Sequence, residues 1–352
     1  VPRPSLASIP ATAPTALAAP LAGLLGGLLS VVLAVVVPDG PAVAATVPAV
    51  ATTQTHLVAV ELSAVPAQAV LDHRVAVTGV ATDAVTGRPL AGVRVVLQVQ
   101  SARGWATTPG TPAVSDAAGR FVLAAPTFYY GRHVFRALVA AQPLADGSAA
   151  AAGGSSARVV TVPLPYRPAG RASAGRVEPT RFDPCTPVPY RINYAGAPRN
   201  ARALVAAALD RARAATGLTF VYAGSYAGIP FSRQGNGGLP AEGIGFAWTT
   251  ASRVRGLAGS AIGLGGGGWS TGERRTSSGV VIDRAFRYRR GWTGANSIGG
   301  LLLHEIGHAL GLQHVNDRTQ QMYPRDIGAP NGNYNRGDLT ALHKVGLDAG
   351  CL

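Results

Sequence analysis

Residues 304–314 read HEIGHALGLQH, and three of the chain's seven histidines fall in this stretch around one glutamate. On a helix, His304 and His308 lie four apart and project from one face, one turn from each other. That spacing lets two imidazoles ligate one tetrahedral zinc. Glu305 is rotated about 100° from His304, so it lies beside the metal without joining the ligands, where it can take a proton from water. Gly311 stands where a left-handed helix stop suits glycine, and the turn brings His314 back as a third ligand. Three protein ligands leave a fourth position to water, the arrangement of a catalytic zinc. Zinc lowers the pKa of that water toward about 7 and polarises a substrate carbonyl, with Glu305 as general base. The competing reading is a metal-free buried helix, and it leaves each imidazole in need of a polar partner.

Such a helix needs a scaffold, and the residues before it supply one. PYRINYA, LTFVYAG, GIGFAWT and SGVVIDRAF read as strands. NARALVAAALDRARAATG reads as a helix stopped at Gly217, and NRGDLTALHKVGL as a last helix. Strands come first and helices after, with one helix inserted behind the first strand, so residues 183–352 are expected to be an α+β domain. Residues 166–182, rich in Arg, Gly, Ala and Pro, read as a linker. From 57 to 165 short alternating segments such as HRVAVTGVAT, GVRVVLQVQ and RHVFRALVAA are separated by turn clusters, the pattern of a β-sandwich. His56, His73 and His133 are isolated there and are expected to be structural or exposed.

The first 44 residues combine Arg3, an apolar stretch over 16–37 and an Ala-x-Ala site at Ala42 and Ala44. This is how a secretory signal peptide is built. The apolar stretch is also long enough to anchor the chain in a membrane if left uncut. Either way an exported, extracellular protein is expected, with residues 45–56 as a linker. Cys185 and Cys351, an even pair in an oxidising compartment, are then expected to form a disulfide. The formal charge is +14, nearly all from arginine. No arginine run exceeds two and no aromatic platform separates them, so nucleic-acid binding is not expected.

HEIGHALGLQH matches the HExxHxxGxxH motif of the metzincin metalloproteases, and QQMYP, with Met322 eight positions past His314, resembles their Met-turn. The MYP triplet is most similar to the matrixin branch, as found in secreted bacterial proteins. The resemblance covers about 183–350, strongly in the last third. Upstream, TGRPLAGVRV and SDAAGRF resemble the turns of immunoglobulin-like and carboxypeptidase-regulatory-like modules. The implied fold is an α+β metzincin-like catalytic domain (mixed twisted sheet, active-site helix, Met-turn, C-terminal helix) preceded by an all-β sandwich. The implied roles are zinc ligands for His304, His308 and His314, general base for Glu305, a hydrophobic floor for Met322 and a pocket wall for Pro324. The segment 261–267 takes the place of the edge strand that pairs with substrate, although the residues themselves equally suit a flexible loop.

Several positions depart from the family. No histidine lies between His133 and His304, and carboxylates are scarce before the active helix, so neither a structural zinc nor a structural calcium is expected. Arg325-Asp326 follows Pro324 where matrixins often carry tyrosine. Asp338 matches an acid that braces the Met-turn, but Gly337 stands where a second aspartate is frequent. Matrixin zymogens block the zinc with a prodomain cysteine. DPCTPVPYRIN runs straight into the first strand, which favours the disulfide over such a switch.

The function expected is that of a secreted zinc endopeptidase with one catalytic ion, acting on proteins or peptides. Two alternatives stay open. One is a cell-surface binding or adhesion protein with a vestigial protease domain; the other is a zinc hydrolase of cell-wall peptides, its sandwich touching wall or surface. Substrate sequence and oligomeric state are not set by the sequence.

Overall fold

The computed structural model describes residues 53–352, apart from 109, 111 and 326–330. The expected signal or anchor segment and Asp326 lie outside the described residues. No described helix is long and apolar enough to cross a membrane.

The first part is built from β1 (Val58–Leu62), β2 (His73–Asp83), β3 (Arg94–Ser101), β4 (Gly104–Thr107), β5 (Arg120–Thr127), β6 (Gly131–Val139) and β7 (Arg158–Val162). One antiparallel sheet runs β1-β2-β5. In the second, β6 pairs with both β3 and β7, and β4 extends it beyond β3. Alternate residues of β2 and β6 are buried, as strands with one face on a core require. Val77, Phe121 and Leu123 of the first sheet and Val95, Leu97, Phe135 and Ala137 of the second share one apolar cluster.

The second part contains β8 (Val188–Asn193), α1 (Ala201–Thr216), β9 (Phe220–Ser225), β10 (Gly243–Thr249), β11 (Gly263–Gly266), β12 (Ser277–Asp283), α2 (Ile298–Ala309) and α3 (Arg336–Val345). Its sheet order is β9-β8-β10-β12-β11. The first four of these strands are parallel, and β11 pairs antiparallel with β12 at the edge. Adjacent parallel strands need a long crossover, and α1 provides it between β8 and β9. One sheet face packs Ile192, Ile244, Phe246 and Ile282 against Leu209 of α1 and Leu302 and Ile306 of α2. The other face packs Ala247 and Val281 under Val254 and Leu257. With both faces covered, β10 is buried along its whole length.

The expected linker 166–182 and the described end of the other, residues 53–56, are structured. Thr55–His56 pairs in parallel with Ala149–Ala150, so the end of segment 45–56 belongs to the sheet layer. Residues 166–182 form a strap across the second part. Val177 bridges to Leu312, and the Glu178 N–H donates to the Gly311 carbonyl at 2.7 Å. Arginine, glycine and proline look solvated in a sequence, but here the backbone donors of the strap find partners far along the chain.

The two parts form one compact unit from Thr52 to Leu352. Tyr129, after β5, donates from its hydroxyl to Asp348 Oδ1 at 2.5 Å, while His343 Nδ1 meets Asp348 Oδ2 at 2.5 Å. Burial pushes the Asp348 carboxyl up, but the His343 and Tyr129 hydrogen bonds outweigh it and hold the pKa below the usual value. The Tyr130 N–H donates to Ala214 O at 2.8 Å, and Arg213 grips Asp72 through two nitrogens at 2.6 and 2.7 Å.

Cys185 and Cys351 are bonded, with Cα atoms 5.3 Å apart across a sequence separation of 166. Arg181 Nη2 donates to Gly350 O at 2.8 Å beside them, and Asp183 Oδ1 accepts from the Leu352 N–H. The unfolded, unreduced protein is therefore expected to show no reactive thiol in a colorimetric titration. Replacing both cysteines by serine should lower stability by about 2–5 kcal/mol in denaturant melts.

Candidate metal centre

Helix α2 begins at Ser297, whose side chain accepts from the Gly300 N–H at 3.3 Å. It ends in a paired-bond stop. Gly311, at φ 101°, donates to His308 O, and Leu312 donates to Gly307 O, both at 2.9 Å. A side chain at position 311 would be strained in that conformation and would approach Thr180 O at 3.0 Å. The stop turns the chain so that His314 faces the helix it has just left.

The three imidazoles converge. His304 Nε2 lies 3.1 Å from His308 Nε2 and 3.2 Å from His314 Nε2, and His308 and His314 are 3.1 Å apart. Donors on a tetrahedral zinc with bonds of about 2.0–2.1 Å stand about 3.3 Å from one another, so the triangle fits that ion. Backbone carbonyls fix the rings: His304 Nδ1 donates to Gln321 O at 2.7 Å and His308 Nδ1 to Leu312 O at 2.8 Å. With Nδ1 carrying the proton, each Nε2 turns a lone pair toward the others. Burial, reinforced by His308, pushes His304 down to about 3, and burial lowers His308 and His314 as well. The rings are thus neutral at physiological pH, the state that binds metal. Lone pairs facing one another at this distance repel, and a shared cation reverses the sign of that interaction.

Glu305 is buried, 4% exposed, and borders the cleft that holds the histidines. That cleft, about 860 Å³, runs between β11 and the segment 320–325. Its wall includes Leu264, Phe286, Leu301, Gln321, Pro324 and Arg325. The glycine-rich stretch is an ordered edge strand here, and two of its glycines lie against α2. A Cβ on Gly263 would lie 2.8 Å from Glu305 Oε1, and one on Gly265 only 2.0 Å from the Glu305 carbonyl. The bare strand lets β11 lie directly on α2.

Met322 is 1% exposed, and a Cβ on Gly307 would come within 2.4 Å of its sulfur. The thioether therefore sits under the helix between the two ligand turns. Its loop hangs on Asp338, which accepts from the N–H groups of Gln321 at 2.7 Å, Met322 at 3.2 Å and Asn335 at 2.9 Å. Burial pushes the Asp338 carboxyl up to about 6 against the pull of these donors. Gln320, which sequence reasoning passed over, accepts from the Gly337 and Asp338 N–H groups. Gly337 has no room for the second aspartate frequent in matrixins: a Cβ would meet Ala174 Cβ and Gln320 Oε1 at 2.9 Å and Gly175 N at 3.0 Å. The strap occupies that place. It also flanks His314, since the Gln313 N–H donates to Arg176 O at 3.0 Å. His56, His73 and His133 lie elsewhere, bonded to Asp83, Leu71 O and Tyr129 O.

Residues 190–344 match the family model Peptidase_M10, Matrixin. The match runs from β8 into α3 and takes in the histidine helix and the methionine loop, supporting a metzincin-like domain and a metallopeptidase in general. No curated protein matches the chain. Among solved structures, MtrC from Shewanella baltica OS185 is 12% identical over 34% of this chain and 24% of its own, with a TM-score of 0.22. A putative membrane anchored protein from Corynebacterium diphtheriae is 12% identical over 38% and 28%, with a TM-score of 0.23. The chain thus spans about a quarter of the length of each, and overlaps this slight carry no argument about fold or activity.

Two substitutions test the support of the centre. Asp338→Asn exchanges one acceptor oxygen for a donor among three backbone N–H groups and should cost about 1–3 kcal/mol in urea melts. The folded pKa of about 6 lies above the ordinary 3.8. Asp338 therefore favours folding most at pH below 4, and that advantage is lost as pH rises through 6. The stability gap between wild type and Asp338→Asn should accordingly narrow between about pH 4 and pH 6. Gly337→Asp, which introduces the second aspartate frequent in matrixins, should destabilise the protein by about 2–4 kcal/mol through overpacking and a buried charge, read as a lower Tm.

Proposed function

We propose that this chain is a secreted zinc endopeptidase that hydrolyses internal peptide bonds of protein substrates. The observation that carries the reading is the triangle of three neutral imidazoles with their Nε2 atoms 3.1–3.2 Å apart, beside a buried glutamate in an open cleft. His304, His308 and His314 would hold the ion. When bound, zinc supplies Lewis acidity to the scissile carbonyl and makes water acidic enough to act as a nucleophile near neutral pH.

The chain's own groups do the rest. Glu305 accepts the proton from the attacking water and delivers it to the departing amide nitrogen, so one carboxylate is base and then acid. Its burial between α2 and β11 keeps it in one place through both transfers. Among the described residues β11 pairs only with β12, which leaves one edge of Gly263–Gly266 to take an extended substrate by strand addition. Leu301 and Pro324 form the walls that receive a substrate side chain, with Met322 beneath the ligands. Signal-peptide-like features at residues 1–44 and the Cys185–Cys351 bond both suit an exported enzyme.

The strap ties the third-ligand turn and the methionine loop to the first part of the chain. The enzyme is therefore read as active in its uncut form over residues 53–352, with the β-rich part as a fixed accessory domain. Among the described residues, none of that part lines the cleft.

Glu305→Gln should abolish cleavage of casein, a loss of at least about 10³-fold, while one zinc per chain stays bound by elemental analysis. Retained hydrolysis by this variant would refute the proposed chemistry.

A further inference from the structure

Behind β11, on the sheet face opposite α2, lies a second groove of about 670 Å³. Arg233, Arg253 and Arg255 line it, and no carboxylate does. All three are exposed, and among the described residues none engages its guanidinium in an ion pair, hydrogen bond or ring contact. Several other arginines of this part do have partners: Arg213 holds Asp72, Arg275 holds Glu178, and Arg211 covers Trp292. Three free cations around one groove have no structural task.

The floor is apolar, made of Ile229, Phe231 and Ala258. Phe231 has φ 62°, a left-handed conformation that a bulky residue adopts only when its surroundings impose it. The imposing contacts are local: Gln234 Oε1 accepts from the Ile229 N–H at 2.9 Å, and the Ser232 N–H donates to Ile229 O at 3.2 Å. The ring is thereby laid against Gly267, where a Cβ would approach Phe231 Cε1 to 2.9 Å.

That position joins the groove to the cleft. Leu264 lines the cleft and packs with Ile229 and Phe231 behind the strand. β11 runs from Gly263, beside Glu305, to Gly266, beside His308, and Gly267 then meets Phe231. A substrate added antiparallel, the more stable pairing, runs the other way, so its N-terminal portion passes Gly267. At about 3.3 Å per residue, Phe231 is reached roughly four residues upstream of the bond beside Glu305.

Taking the peptidase reading as its basis, we propose that the groove of Arg233, Arg253 and Arg255 over Phe231 is an exosite for an acidic segment of the substrate. That segment begins about four residues before the cleaved bond. Carboxylates meet the guanidinium rim, which is suited to bidentate pairing, and an apolar side chain among them rests on Phe231. The exosite enriches substrates by affinity and takes no part in bond cleavage.

The test uses two fluorogenic peptides built on a site mapped in casein, one carrying glutamates from the fourth to the seventh upstream position and the other glutamines. The wild-type enzyme should favour the acidic peptide about tenfold in kcat/KM, through KM, with the preference shrinking as salt rises. Arg233→Gln/Arg253→Gln/Arg255→Gln should erase the preference and keep kcat on the glutamine peptide. Equal use of both peptides by the wild type, or an undiminished preference in the triple variant, would overturn the exosite. A second arm measures anisotropy of a fluorescein-labelled peptide of four glutamates and a leucine on Glu305→Gln, with and without the arginine changes. Arginine-dependent binding there supports the groove even if no peptide is cleaved, which would sink only the peptidase reading. Tight binding of polyphosphate to the arginines without binding of the acidic peptide would assign the groove to a surface polymer and overturn the proposal.

Discussion

Three imidazole nitrogens held toward one another, about 3 Å apart, repel; the second part of the molecule is organised to hold them there. His304 can face its partners only because Gln321 O takes its other proton. Gln321 stays in place because its N–H is held by Asp338, which also receives the first N–H of the α3 segment at Asn335. Tyr334, fully buried, closes the circuit by donating to Leu303 O of α2 at 2.9 Å. Each bond contributes only about 1 kcal/mol net, but an orphaned member costs about 1–3 kcal/mol. The network therefore resists piecemeal change, and its rigidity matters more than its sum.

The centre was largely legible in the sequence because its geometry is local. A four-residue offset on a helix, a glycine stop and a third histidine constrain one another within eleven positions, and no distant contact is needed to place them. The central strands were legible for a related reason: continuous apolar runs such as GIGFAWT leave few other states. What escaped depends on partners far along the chain. Residues 166–182 resemble a linker by composition, yet their amides pair with Gly311 and Arg176 pairs with Gln313, more than 130 positions away. Gln320 looks like an ordinary polar turn residue until Gly337 and Asp338 are brought to it. The run GLGGGG looks uniformly loose, whereas Gly263 and Gly265 are bare because α2 lies against them.

The joint between the two parts shows why the chain does not divide where its composition changes. Arg213 and Asp72 pair near solvent and contribute little. Tyr129, His343 and Asp348 are more sheltered, and the strap contributes backbone bonds on the other side of α3. A buried tyrosine whose hydroxyl is drawn to a carboxylate resists losing its proton: burial, with Asp348 adding, raises its pKa well above the usual value. The β-rich part is thereby seated on α1 and α3, and none of its described residues lines the cleft.

The bond between Cys185 and Cys351 makes the second part a covalent ring, with Arg181 and Asp183 fastening the tail on the same side. In a ring, a single break does not release a fragment. Proteolysis takes its first cuts in exposed surface loops. Here such a cut leaves a nicked molecule with both pieces attached, and the core between them supplies the template for staying folded. Damage then accumulates without immediate loss of the ligand set, so the working lifetime is set by the second cut and not by the first.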